Sequence, residues 1–194
     1  MGDGRTDGKS GRGPRWLPGD PAGKVLIDRI VRVDHAGEYG ATRIYAGQLA
    51  VLGRNHPAAA EIRRMAEQEE RHLQTFEKMV TERRVRPTAL TPLWHVAGFA
   101  LGAATAALGK SAAMACTVAV EETIDEHYAG QAAALEGLPE EAELKAIVEE
   151  FRADELEHRD TALAQGAESA PGYPVLSAAV KACSRLAIWL SERV

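Results

Sequence analysis

Residues 61–80 read EIRRMAEQEERHLQTFEKMV, and residues 148–162 read VEEFRADELEHRDTA. In each, apolar residues recur every three or four positions, the spacing of one helix face. The first stripe runs Ile62, Met65, Glu69, His72, Phe76, Met79 and the second Val148, Phe151, Glu155, His158, Ala162. Both are interrupted at the same place by Glu-x-x-His. With 20 Glu and 6 His in 194 residues, chance placement gives about 0.6 such pairs, so either pair alone means little. Their shared position on apolar seams is what decides the reading. A buried carboxylate without a partner is costly, so something must offset the cost.

Working outward, each pair is preceded by a helical segment with one inward-facing Glu. Glu38 lies on the face of Val31, Tyr45 and Leu52, and Glu121 lies on that of Met114, Thr117, Ile124, Tyr128 and Leu135. The neighbours Glu67, Glu70, Glu122 and Glu157 fall among polar positions and read as solvent-facing. Glu38 and Glu69 are 31 residues apart, and Glu121 and Glu155 are 34 apart. The chain therefore repeats a Glu helix followed by a Glu-x-x-His helix. Four antiparallel helices in this order bring Glu38, Glu69, His72, Glu121, Glu155 and His158 together at mid-bundle. That is the ligand set of a carboxylate-bridged di-iron or di-manganese centre, and oxygen-rich ligation favours those metals over structural zinc.

The rest of the chain fits an all-α domain over residues 24–194. The predicted helices are 25–52, 58–84, a segment in 93–109, 111–135 capped by Ser111, 140–165 and 175–194, with Pro87 and Pro92 closing the second. Residues 1–23 are Gly-rich and read as a flexible tail. They lack the apolar core of a secretory signal, and Asp3 and Asp7 suit a mitochondrial transit peptide poorly. The stretch Leu93–Gly109 is 17 residues long, about 25 Å as a helix, marginal for a membrane span. It reads as a segment lying in or on a membrane. Its Gly98-x-x-x-Gly102 spacing permits a close helix approach. The amphipathic 175–194 helix, with Lys181, Arg185 and Arg193, reads as a second membrane contact.

Composition closes off other classes. A net charge of −5 argues against a general nucleic-acid binder. Two cysteines build neither a disulfide framework nor a thiolate zinc site; Cys116 is expected in the core and Cys183 packed on the terminal helix. Asp34, one turn before Glu38, is either a group that orients a ligand His or an ordinary capping or surface residue. His35 is a substitute-ligand candidate of lower rank. Tyr45 and Tyr128 read as core packing, with a hydrogen bond near the metals as the alternative.

The segments DRIVRVDHAGEYGATRIYAGQLAVLGR (28–54), EQEERHLQTFEKMV (67–80), RVRPTALTPLW (84–94), GFALGAATAALGKSAAMACTVAVEETIDEHY (98–128) and FRADELEH (151–158), with the ending RLAIWLSERV, resemble the demethoxyubiquinone hydroxylase family. The resemblance covers residues 25–194. It implies a ferritin-like fold and an O2-dependent di-iron monooxygenase that hydroxylates the ring of demethoxyubiquinol in ubiquinone biosynthesis. The family's ligand positions fall on the same six residues, and the repeat makes Glu69 and Glu155 the bridging carboxylates. The resemblance further implies two iron ions per chain, NADH as a reductant, a polyprenyl quinol substrate, and contact with a membrane surface. It also implies a biosynthetic complex with a helper lipid-binding protein. The expected location is the cytoplasmic face of a bacterial inner membrane, or the matrix face of the mitochondrial one in a eukaryote. The competing reading is a ferritin-type iron-binding or storage protein with the same six ligands.

Overall fold

A computed structural model describes residues 23–194; the tail expectation for 1–23 lies almost wholly outside the described residues. Six helices follow one another: α1 (Lys24–Leu52), α2 (Ala59–Glu82), α3 (Thr91–Ala107), α4 (Lys110–Leu135), α5 (Ala142–Ala164) and α6 (Tyr173–Ser191). Single 3-10 turns at Pro139–Glu141 and Ala167–Ser169 flank α5. Among the described residues there is no strand.

α1, α2, α4 and α5 form the bundle, and α3 and α6 pack outside it, α3 on α1 and α6 on α4. The architecture is a ferritin-like helical bundle with two added helices. Its apolar interior divides in two. One cluster holds Tyr45, Ile62, Met65, Met114, Val118 and Ala162. The other holds Ile30, Val31, Phe76, Tyr128, Leu144, Val148 and Phe151. Along each bundle helix, the candidate ligands fall between a residue of one cluster and a residue of the other: Val31–Glu38–Tyr45, Met65–Glu69–His72–Phe76, Val118–Glu121–Tyr128, Phe151–Glu155–His158–Ala162. The polar groups thus sit mid-bundle with an apolar plug on either side.

Two boundaries differ from the sequence reading. Pro92 opens α3, where its missing N–H costs nothing, rather than closing α2. Ser111 does not cap α4: Gly109, at φ 110°, turns the chain first and places Ser111 inside the helix.

The close approach expected at Gly98 and Gly102 is present, and its counterpart is α1. A methyl on Gly102 would collide with the Ile44 backbone, one on Gly98 would meet the Gly40 carbonyl, and one on Gly47 would collide with Phe99. Glycines on both helices therefore let the two backbones touch. No helix among the described residues is long and apolar enough to cross a membrane.

Candidate metal centre and its surroundings

All six candidate ligands are buried. Glu69, Glu155 and His158 are wholly shielded, and Glu38, His72 and Glu121 are no more than 3% exposed. The neighbours Glu67, Glu70 and Glu157 are exposed, and Glu122 is half-buried against Lys181. The helical period thus sorted inward from outward carboxylates correctly.

The six form two overlapping groups of four. Glu38, Glu69, His72 and Glu155 each bring one ligand atom within 4.8 Å of the others, and so do Glu69, Glu121, Glu155 and His158. Glu69 and Glu155 belong to both. His72 Nδ1 stands 3.4 Å from Glu155 and 3.6 Å from Glu38. His158 Nδ1 stands 3.0 Å from Glu69 and 3.4 Å from Glu155.

The polar atoms facing inward lack hydrogen-bond partners. Glu38 Oε2, both oxygens of Glu69 and of Glu155, Glu121 Oε2, His72 Nδ1 and His158 Nδ1 are all buried and unpaired. Native interiors seldom leave one such atom unpaired, and here they converge on one spot. Divalent cations placed there would satisfy them together. The donor set, carboxylates with two imidazoles, fits iron or manganese.

The electrostatics point the same way. Burial, then the charges of Glu155, Glu38 and Glu121, push Glu69 well above the usual carboxylate range. Burial and Glu155 do the same to Glu121, and burial raises Glu155. Burial alone would lower His72, but the facing carboxylates of Glu155 and Glu38, 3.4 and 3.6 Å from Nδ1, push it up to about 10. Burial holds His158 below its ordinary value. Without a cation, Glu69, Glu121 and Glu155 hold their protons more tightly, chiefly because burial disfavours the charged form.

Around the ligands lies a layer that the sequence showed only in part. Tyr45 donates to Glu121 Oε1 at 2.7 Å, and Tyr128 donates to Glu38. Both phenols are buried, so they pack in the core and also hold a carboxylate; core packing alone does not describe them. Asp34 is buried and accepts from Gln131 Nε2 at 2.6 Å, with His127 Nε2 3.6 Å away. It touches no ligand His. The residue that does so is Asp154, 3.0 Å from His72 Nε2. Asp154 directly precedes Glu155 in the sequence, but its partner is 82 residues away on another helix. His35 is half-buried and stands outside both ligand groups.

A largely apolar cavity of about 260 Å³ lies between α1, α3, α4 and α6. Gly37 and Ala41, on either side of Glu38, line it, as do Val120 and Ile124 beside Glu121. Cys183 lines it too and is exposed rather than packed away, whereas Cys116 is buried as expected. On the outer faces, Leu93 and Val96 of α3 and Leu186 and Trp189 of α6 are exposed. The basic residues of α6 are less free than the sequence suggests. Lys181 pairs with Glu122 at 2.5 Å, and Arg185 pairs with Glu126 at 2.9 Å.

Comparison with known proteins sets this geometry in context. The family model for ubiquinone biosynthesis protein COQ7 matches residues 25–191. The 3-demethoxyubiquinol 3-hydroxylase of Rhodospirillum rubrum is 61% identical over 178 residues, 92% of this chain and 83% of the relative. The human mitochondrial NADPH-dependent 3-demethoxyubiquinone 3-hydroxylase is 54% identical over 177 residues, 90% of this chain and 81% of the relative. The mitochondrial 5-demethoxyubiquinone hydroxylase of Saccharomyces cerevisiae is 42% identical over 184 residues, 88% of this chain and 79% of the relative.

Proposed function

This chain belongs to the ubiquinone biosynthesis protein COQ7 family, and on that basis we propose that it hydroxylates the ring of demethoxyubiquinol at a pair of iron ions held by Glu38, Glu69, His72, Glu121, Glu155 and His158. The observation that carries this reading is the pair of overlapping ligand groups sharing Glu69 and Glu155, with their inward atoms unpaired. Glu69 and Glu155, which belong to both groups, would be shared between the two ions, and Glu38 and Glu121 would each hold one. When bound, the iron pair supplies the activation of O2.

The chain's own residues do the rest. Tyr45 and Tyr128 fix the terminal carboxylates, and Asp154 fixes the His72 ring. The two apolar clusters exclude bulk water along the bundle axis, which strengthens the electrostatic interactions inside. The glycine-lined contact of α1 with α3 leaves a cavity wall without side chains at Gly37, Gly40 and Gly98, suited to a flat ring. Ring hydroxylation places one oxygen atom on carbon and releases the other as water, so two electrons and two protons enter. We assign their source to a reduced nicotinamide nucleotide, the donor class in the human relative's name; NADH is the form the family resemblance implies. No G-x-G-x-x-G fingerprint occurs in the chain, so no Rossmann-type unit is expected to bind it.

A polyprenyl substrate remains in a bilayer. The exposed Leu93, Val96, Leu186 and Trp189 on the two added helices suit peripheral docking there, and no helix among the described residues is long and apolar enough to cross. A ferritin-type storage protein shares the six ligands but has no use for this cavity or these faces. The test is turnover of demethoxyubiquinol in detergent or vesicles under 18O2. One labelled oxygen in the product ring is expected. Label-free product, or iron uptake without product, would contradict the reading.

A further inference from the structure

The two halves of the ligand cluster are related by the repeat in the chain, and they differ at the residue that precedes the Glu of each Glu-x-x-His. Glu69 corresponds to Glu155 and His72 to His158. The residue before Glu155 is Asp154, and the residue before Glu69 is Gln68. Asp154 Oδ2 lies 3.0 Å from His72 Nε2, while the Nδ1 of that ring faces Glu38 and Glu155. Gln68 carries no charge, and its carbonyl oxygen already accepts from Arg64 Nη1 at 2.9 Å. His158 Nε2 is buried and has no partner.

This difference has a direct chemical consequence. An imidazole that binds a cation through Nδ1 carries its proton on Nε2. At His72 that proton meets a carboxylate, which fixes the tautomer, holds the ring and makes Nδ1 a stronger donor. At His158 the same proton enters a dry region with no acceptor, so binding there carries a desolvation cost.

We propose that the two metal positions are unequal: the Glu38–Glu69–His72–Glu155 position takes the first divalent cation, the Glu69–Glu121–Glu155–His158 position fills second and releases first, and Asp154 is the positioning residue that sets this order. The inference rests on the reading of the six residues as ligands given above.

The experiment is Mn(II) titration of the metal-free full-length protein, read by the electron paramagnetic resonance of unbound Mn(II). Wild type is expected to bind two ions per chain. His158→Ala keeps one site close to the first wild-type affinity. His72→Ala keeps one site about 10–100-fold weaker, the range typical of losing the carboxylate behind a ligand His. Asp154→Asn weakens the site left in the His158→Ala background by a similar factor and leaves the site in the His72→Ala background unchanged. A purely structural role for Asp154 would move both. Equal affinities in the two His→Ala variants would overturn the proposal while leaving the di-metal reading intact. No bound Mn(II) in wild type would overturn both. Should a His→Ala variant not fold, Asp154→Asn in the otherwise wild-type chain decides. The first binding event must weaken and the second must not; any other pattern overturns the proposal.

Discussion

Tyr45, seven residues after Glu38 on α1, donates its hydroxyl not to Glu38 but to Glu121 of α4, at 2.7 Å. Tyr128, seven residues after Glu121, makes the reciprocal bond to Glu38. Each of these two carboxylates is thus held by the tyrosine that follows the other one. The crossing ties α1 to α4 across the cluster.

Tyr45→Phe keeps the ring and removes the donor. It leaves Glu121 Oε1 buried and unpaired, at a cost of about 1–3 kcal/mol in the metal-free protein. In the loaded protein it releases the carboxylate's orientation, and metal retention against a chelator is expected to fall about 10–100-fold. Chelator competition with iron readout measures the second effect and urea denaturation the first. Unchanged retention would count against a positioning role for Tyr45.

The double variant Tyr45→Phe/Glu121→Leu removes both partners together. Replacing a buried polar pair by apolar groups of similar shape is neutral or stabilising. Metal-free stability is expected to match or exceed wild type, by about 1 kcal/mol if packing is kept, while the second metal and all turnover are lost. Opposite signs for stability and activity mark the carboxylate as present for chemistry. A large loss of metal-free stability would make Glu121 a structural residue.

Stability of the metal-free protein is expected to fall as pH rises. Glu69, Glu121 and Glu155 hold protons in the folded state above their ordinary value of 4.5, chiefly because burial disfavours the charged form. Burial raises Asp34 likewise. His72, at about 10 against an ordinary 6.5, also binds its proton more tightly when folded; burial opposes this, but the facing carboxylates of Glu155 and Glu38 outweigh it. The folded state therefore binds more protons than the unfolded state above pH 4.5, and unfolding free energy declines with pH. His158 and His35, lowered mainly by burial, act oppositely only up to their ordinary 6.5. Bound metal replaces the protons, so metal-conferred stabilisation grows over the same window. Melting curves of chelator-treated and metal-loaded protein at about pH 5 and 8 measure both slopes. A metal-free protein that gains stability towards pH 8 would contradict this.

Gly102→Ala places a methyl against the Ile44 backbone. Flexible side chains can move aside, but this backbone cannot, so α3 must shift from α1. The expected cost is about 1–3 kcal/mol. Because α3 walls the cavity but supplies no ligand, turnover should fall with metal stoichiometry unchanged. Loss of metal in parallel with turnover would contradict the separation of cavity from cluster.

The burial and convergence of the six candidate ligands were legible because titratable groups interrupting an apolar helical stripe stand out at a period of 3.6 residues. Gly98 and Gly102 announced a close approach for the same local reason. Relations between helices were less legible. Asp154 reaches His72 from 82 residues away, and Asp34, which the sequence leaves open between orienting a ligand His and a capping or surface role, is buried with Gln131 and His127 as its partners. Such pairs depend on how helices are rotated and offset against each other, which no single stripe encodes. Lys181 and Arg185 looked free for a membrane surface until α4 placed Glu122 and Glu126 beside them. Ser111 looked like a cap because local composition favours it there, but Gly109 had already made the turn.

Iron stoichiometry with Mössbauer spectroscopy, after anaerobic Fe(II) reconstitution in mild detergent, tests most directly whether two metal ions share Glu69 and Glu155. Two irons per chain, magnetically coupled once oxidised by O2, are expected. Iron-free protein, or a single ion lost on desalting, would contradict it.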